Sequence, residues 1–263
     1  MLSKLLKYDL KYMIKNMSVF YILAIIFAVL TRILFGMEKT FMVNIISQIT
    51  VGCMFAMIAN IIINVLMRSW VRFRDSIYKD ESYLTHTLPV TKSEIYDSKF
   101  FQSLIFFIIS FIIVLLAIFI TYYTHDRWLL LKEYINTITT GLNFNTTLFV
   151  VSMLTIIFLE IFNALQCGFL GIVLGYKQNN GKIAYSVLFG LTAYFVSQSI
   201  VLALTFTVGL FNSSIMDLFK TTAIIDSEGF KVLAVLAIIF YLAIIFLMNL
   251  INKKILNKGV NIE

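Results

Sequence analysis

Glu160 is the one acidic residue inside the apolar run from Thr147 to Gly175. Asn163 and then Gln166 or Cys167 follow it at helical spacing, so one face of that segment carries polar groups. In a helix at membrane depth a bare carboxylate costs roughly 2.5 to 3.5 kcal/mol on insertion scales, so Glu160 is expected to face protein or water. Such a face either lines a route for a solute or a seam between subunits, or it closes on itself in interhelical hydrogen bonds of about 0.6 kcal/mol each. Asn60 and Asn64 form a similar pair between Phe41 and Met67, and Ser197, Gln198 and Ser199 add polar groups between Ile183 and Leu210. Glu160, Asn163, Asn60 and Asn64 are the candidates for a pathway or a dimer seam.

Hydrolytic or metal chemistry has no matching residue set. HExxH, GxSxG and paired intramembrane glutamates are absent from the sequence. Cys53 and Cys167 lie in apolar runs without CxxC spacing, as inert thiols do. The stretch from Gly175 to Ile183 approaches a phosphate-binding GxxxxGK[ST] loop, but its glycines are one residue too far apart and Ile183 replaces the required hydroxyl. The chain is therefore expected to be no enzyme, to bind no metal and to carry no cofactor of its own.

The elements that must position these side chains are membrane helices. Of the 263 residues 60% are hydrophobic, 13% are charged and one is proline. Six apolar segments reach or exceed the ~18 to 20 residues that a spanning helix needs: Met17 to Leu34, Phe41 to Met67, Phe100 to Thr121, Thr147 to Gly175, Ile183 to Leu210 and Val232 to Ile251. Their apolar patterns are continuous rather than alternating, which argues for an all-α polytopic fold and against a barrel. The connections between spans three and four and between five and six read as short loops. Gly171, Gly175, Ser186 and Gly190 place small residues four apart on both sides of the Tyr176 to Lys182 turn, which predicts close packing of spans four and five.

Six spans put both termini on one side of the membrane. That side holds 15 of the 21 Lys and Arg residues, including Arg68, Arg72 and Arg74 near Trp70, and the opposite side holds six. The positive-inside rule then predicts cytoplasmic termini. The charge of +7 is explained by span ends and anionic headgroups, so no nucleic-acid partner is expected. Residues 1–16 place Lys4, Lys7, Lys11 and Lys15 opposite Leu2, Leu5, Leu6, Leu10 and Met13, the pattern of a helix lying in the headgroup plane. Asp9 falls within the apolar arc and marks either a protein contact or ordinary surface anchoring.

The polar segment from Arg68 to Lys99 is the largest expected cytoplasmic feature. It contains Glu81-Ser82-Tyr83-Leu84-Thr85-His86-Thr87-Leu88-Pro89-Val90-Thr91, in which Pro89 closes a short helix and Thr91 with Glu94 forms a T-x-x-E capping box. An acidic residue, Tyr83-Leu84 and then Leu88-Pro89-Val90-Thr91-Lys92, between spans two and three of a six-span chain, resembles the type-2 ABC transporter permease family. The resemblance implies a single permease domain over residues 1–263, working with a second permease copy or paralogue and with cytoplasmic ABC ATPase subunits that bind ATP and magnesium. It implies that Lys79 to Leu88 is the coupling element and Pro89 to Lys92 its exit, with Lys79, Glu81, Tyr83, Leu84, Leu88 and Pro89 as the contact residues. It further implies a bacterial cell membrane and export of an amphipathic peptide, a lipid or a drug. A scaffold or immunity protein that does not pump, and an ion-coupled transporter using Glu160, are the alternatives.

Overall fold

The computed structural model describes residues 2–38, 40–79, 81–87, 89–141, 145–212, 215–216 and 227–258. Every regular element among them is an α-helix: α1 Leu2–Phe35, α2 Phe41–Tyr78, α3 Ser82–Thr87, α4 Lys92–Tyr122, α5 His125–Gly141, α6 Thr146–Gly175, α7 Lys182–Phe211 and α8 Ser227–Asn257. Six of these, α1, α2, α4, α6, α7 and α8, are long and apolar enough to cross a membrane. The chain is a multi-pass membrane protein. At ~1.5 Å per residue a 30-residue helix is about 45 Å long, so each span overshoots a ~30 Å apolar layer. The 38 residues of α2 overshoot most, and its last turns carry Arg68, Arg72 and Arg74 past the end of the apolar run.

Residues 1–128 and 129–261 form two compact units. In the first, α1 packs against α2 and α4, and α2 against α4. Ala28, Met54, Ile58 and Ala117 make a buried cluster in which small residues let the backbones approach. Thr121 Oγ1 donates to the Ala117 carbonyl at 2.9 Å and also lies 2.9 Å from Met54 Sδ, fixing α4 against α2. The amphipathic N-terminal segment is the first part of α1 and runs into the first span without a break. It is not a separate element.

The proline elbow is built as its sequence reads. The Thr91 amide donates to Glu94 Oε2 at 2.9 Å and the Glu94 amide to Thr91 Oγ1 at 3.2 Å, completing the capping box that starts α4. α3 ends at Thr87, two residues before Pro89.

In the second unit α6 packs against α7 and α8, and α7 against α8. The buried residues of α7 are Ser186, Ser197 and Gly209, while Leu188, Leu191, Phe195 and Leu202 face outward. This helix buries its small face and turns its bulky one to the surroundings, as expected where lipid tails are as apolar as leucine. The approach to α6 is close: a Cβ on Gly171 would lie 2.5 Å from the Gly190 nitrogen, and one on Gly175 would lie 2.6 Å from the Ser186 Cα. Gly181, at φ +64°, turns the chain into α7. The residues of the phosphate-loop near miss therefore form a turn between two spans.

The connection between α4 and α6 differs from the short loop expected of it, because 17 of its residues form α5. Thr139 of α5 is buried and shares a hydrogen bond of 3.0 Å with Thr146, whose hydroxyl also donates to Asn136 Oδ1 at 3.0 Å. Asn145 caps α6 by accepting from the Thr147 amide at 2.9 Å.

Because backbone rather than a flexible side-chain end meets the added Cβ, Gly171→Ala should force α6 and α7 apart and cost at least the ~1 to 3 kcal/mol typical of overpacking. Gly52→Ala, with nothing within 4 Å, should leave stability unchanged or slightly raised. Thermal unfolding in detergent checks the pair.

Candidate functional site: a buried ion network at the elbow

Asp9 is the centre of the site. Placed on α1 among Leu5, Leu6 and Met13, it would be an isolated charge if α1 stood alone. In the fold it is 2% exposed and held by two cations. Arg72 of α2 donates from Nε to Asp9 Oδ1 at 2.9 Å, and Lys99 of α4 reaches the same oxygen at 2.5 Å. The second oxygen accepts from the Ser98 hydroxyl at 2.9 Å. Three spans thus converge on one carboxylate. Lys99 is itself 4% exposed, so neither charge of that pair has water as an alternative partner.

The network extends to α3. Arg72 Nη1 lies 2.5 and 2.6 Å from the two Glu81 oxygens, and the Tyr12 ring of α1 packs against the same guanidinium at 4.8 Å. A rigid planar fork suits this task, since it can hold Asp9 on one edge and Glu81 on another. Two acids and two cations balance. Below them Phe73 and Tyr96 meet edge to face at 5.9 Å, packing α2 against α4 beneath the charges. Ser82 is fully buried, which turns the next two residues outward: Tyr83 is 65% and Leu84 74% exposed. α3 is therefore a short helix pinned at Glu81 with an apolar pair on its open side.

The expected contact residues are distributed accordingly. Tyr83, Leu84 and Pro89 are exposed, Glu81 faces Arg72, and Lys79 is the half-buried C-cap of α2, its carbonyl accepting from the Ser82 amide at 2.7 Å. Leu88 lies outside the described residues. Two readings of the sequence change. Asp9 marks a contact within the chain rather than with lipid or another protein, and Arg72 is an ion-pair partner rather than a headgroup anchor. The signal was present as an acid on an apolar arc, but a single sequence does not say which of many cations answers it.

Asn60 and Asn64 are also in the first unit, and each donates at 2.9 Å to the carbonyl one turn back in its own helix. In the second unit Asn163 is fully buried and donates to Ser197 Oγ of α7 at 2.9 Å, a structural link between spans. Cys167 lies beside it, 3.8 Å from Asn163 Oδ1. Glu160 differs. It is half-buried, near the middle of α6, and the Tyr194 hydroxyl of α7 is 3.5 Å away. Among the described residues no group of three His, Cys, Asp or Glu side chains is arranged to hold a metal ion. Comparison with protein-family models, with curated proteins and with solved structures gives no match.

Removing Asp9 while leaving both cations should be costly, by the ~3 to 5 kcal/mol seen when one partner of a buried pair is deleted. Asp9→Asn is expected to lower the melting temperature clearly. Asp9→Asn with Lys99→Met should recover part of the loss. A double-mutant cycle that shows simple additivity would contradict the pairing.

Proposed function

We propose that this chain is the membrane-spanning permease subunit of an ATP-driven ABC exporter, with both termini and α3 in the cytoplasm of a bacterial cell. It works with a second permease copy or paralogue, and hydrolysis belongs to a separate ATPase subunit. The observation that carries this reading is the construction of α3. A six-residue helix lies between the second and third spans, presents Tyr83 and Leu84 to solvent, and is joined through Glu81 and Arg72 to a carboxylate shared by α1 and α4. An exposed apolar pair is a docking feature when it sits on a rigid support. A displacement of α3 by a docked partner pulls on three spans at once, because each contributes a charge that cannot be left unpaired. The excess of Lys and Arg on the side that holds α3 supports the cytoplasmic assignment.

Co-purification in nanodiscs with the candidate ATPase subunit tests the reading. Leu84→Asp should weaken association by tenfold or more and remove permease-dependent ATP turnover, while the melting temperature of the permease stays near that of the wild type, since Leu84 is exposed. If no ATPase associates with the wild type, or Leu84→Asp behaves like it, a membrane scaffold that does not pump takes precedence.

A further inference from the structure

The two intramembrane or membrane-edge acids described above are treated in opposite ways. Asp9 is met by two cations, whereas Glu160 has no Lys, Arg or His within ion-pair distance among the described residues. Its neighbours are neutral. From α7, Tyr194 offers a hydroxyl at 3.5 Å, a long contact that solvates a carboxylate weakly. From α8, buried Tyr241 faces the same region and donates to Gln198 Oε1 at 3.1 Å. The Gln198 side chain also interacts with the Tyr194 hydroxyl, so α7 and α8 share one polar cluster. Cys167 is the remaining titratable group on this part of α6.

Glu160 stands about 21 Å along α6 from its first residue, with roughly as much helix beyond it. A charge at such depth is costly, and a positive partner is one way to offset that cost. The surroundings define what that partner can be. Ile157, one turn before Glu160, is 47% exposed, and Leu191, one turn before Tyr194, is 55% exposed, so the cluster opens on its membrane-facing side between apolar side chains. The Tyr194 hydroxyl lies beside it, and the Tyr241 hydroxyl is tied to Gln198 in the same cluster.

We propose that Glu160, Tyr194, Gln198 and Tyr241 form an intramembrane site for a lipophilic ammonium cation. The ammonium pairs with the Glu160 carboxylate, the phenols orient and partly solvate it, and the apolar body lies along Ile157 and Leu191. Calling the ligand cargo rests on the permease reading above; the site itself does not.

The test uses the full chain in nanodiscs without any ATPase. Radiolabelled decylammonium is the probe, with lipid-only nanodiscs as background and decanol as a neutral competitor. The wild type should bind about one probe per chain saturably, Glu160→Gln at least tenfold more weakly, and Tyr194→Phe several-fold more weakly. Decanol should not compete. Glutamine keeps the shape and removes the charge, and an unchanged melting temperature confirms that the variant is folded. Binding that ignores Glu160→Gln, competition by decanol equal to that of unlabelled decylammonium, or no saturable binding above lipid alone overturns the proposal. Failure here leaves the ATPase association untouched, and failure of that association leaves this binding untouched.

Discussion

The burial of one carboxylate sets the arrangement of the first unit. Asp9 cannot lie between apolar helices unless positive charge is brought to it, and Arg72 and Lys99 come from two other spans to supply it. That requirement fixes the register of α1 against α2 and α4 far more tightly than alanine and methionine contacts alone, which tolerate small slips. It also determines where α3 lies, because the guanidinium that answers Asp9 has a second edge left for Glu81. Packing below the charges, as in the Phe73 and Tyr96 contact, stabilises the same alignment.

The second unit solves its own packing differently. Its closest approach is made by glycines and serine, and its buried polar link, Asn163 to Ser197, is neutral. Hydrogen bonds of that kind hold helices together in lipid without the desolvation of a full charge. Against that economy Glu160 is an anomaly, and local breaks in structural logic concentrate at functional positions. The contrast between a compensated acid at the elbow and an uncompensated one at mid-depth separates a structural tether from a site for an external positive charge.

Much of the architecture was legible in the sequence because it rests on local rules. Long apolar runs give the six spans, the Thr91 and Glu94 spacing gives the capping box, and small residues four apart give the α6 and α7 contact. The α5 helix was missed because His125, Arg127, Lys132 and Glu133 make the stretch read as a polar connection, although Leu131, Tyr134, Ile135 and Ile138 keep helical spacing on one face. The ion network was only half legible. Asp9 was visible as an exception, but Arg72 and Lys99 lie 63 and 90 residues away, and choosing them requires the tertiary fold. Asn60 and Asn64 resembled Asn163 in sequence, yet they bond within their own helix while Asn163 bonds across to α7, a difference that depends on which face meets a neighbour.

The most direct measurement of the central claim is a distance within the first unit during ATP binding. Spin labels at Thr87→Cys on α3 and Lys11→Cys on α1, both exposed positions, can be placed in a chain whose native Cys53 and Cys167 are replaced by alanine. With an ABC ATPase subunit bound in nanodiscs, ATP should shift the distance distribution in the otherwise native chain. With Arg72→Gln in addition, the distribution should be broad and insensitive to nucleotide. A distribution that ATP leaves unchanged in the otherwise native chain, or that moves identically without Arg72, would contradict transmission through the Asp9 network.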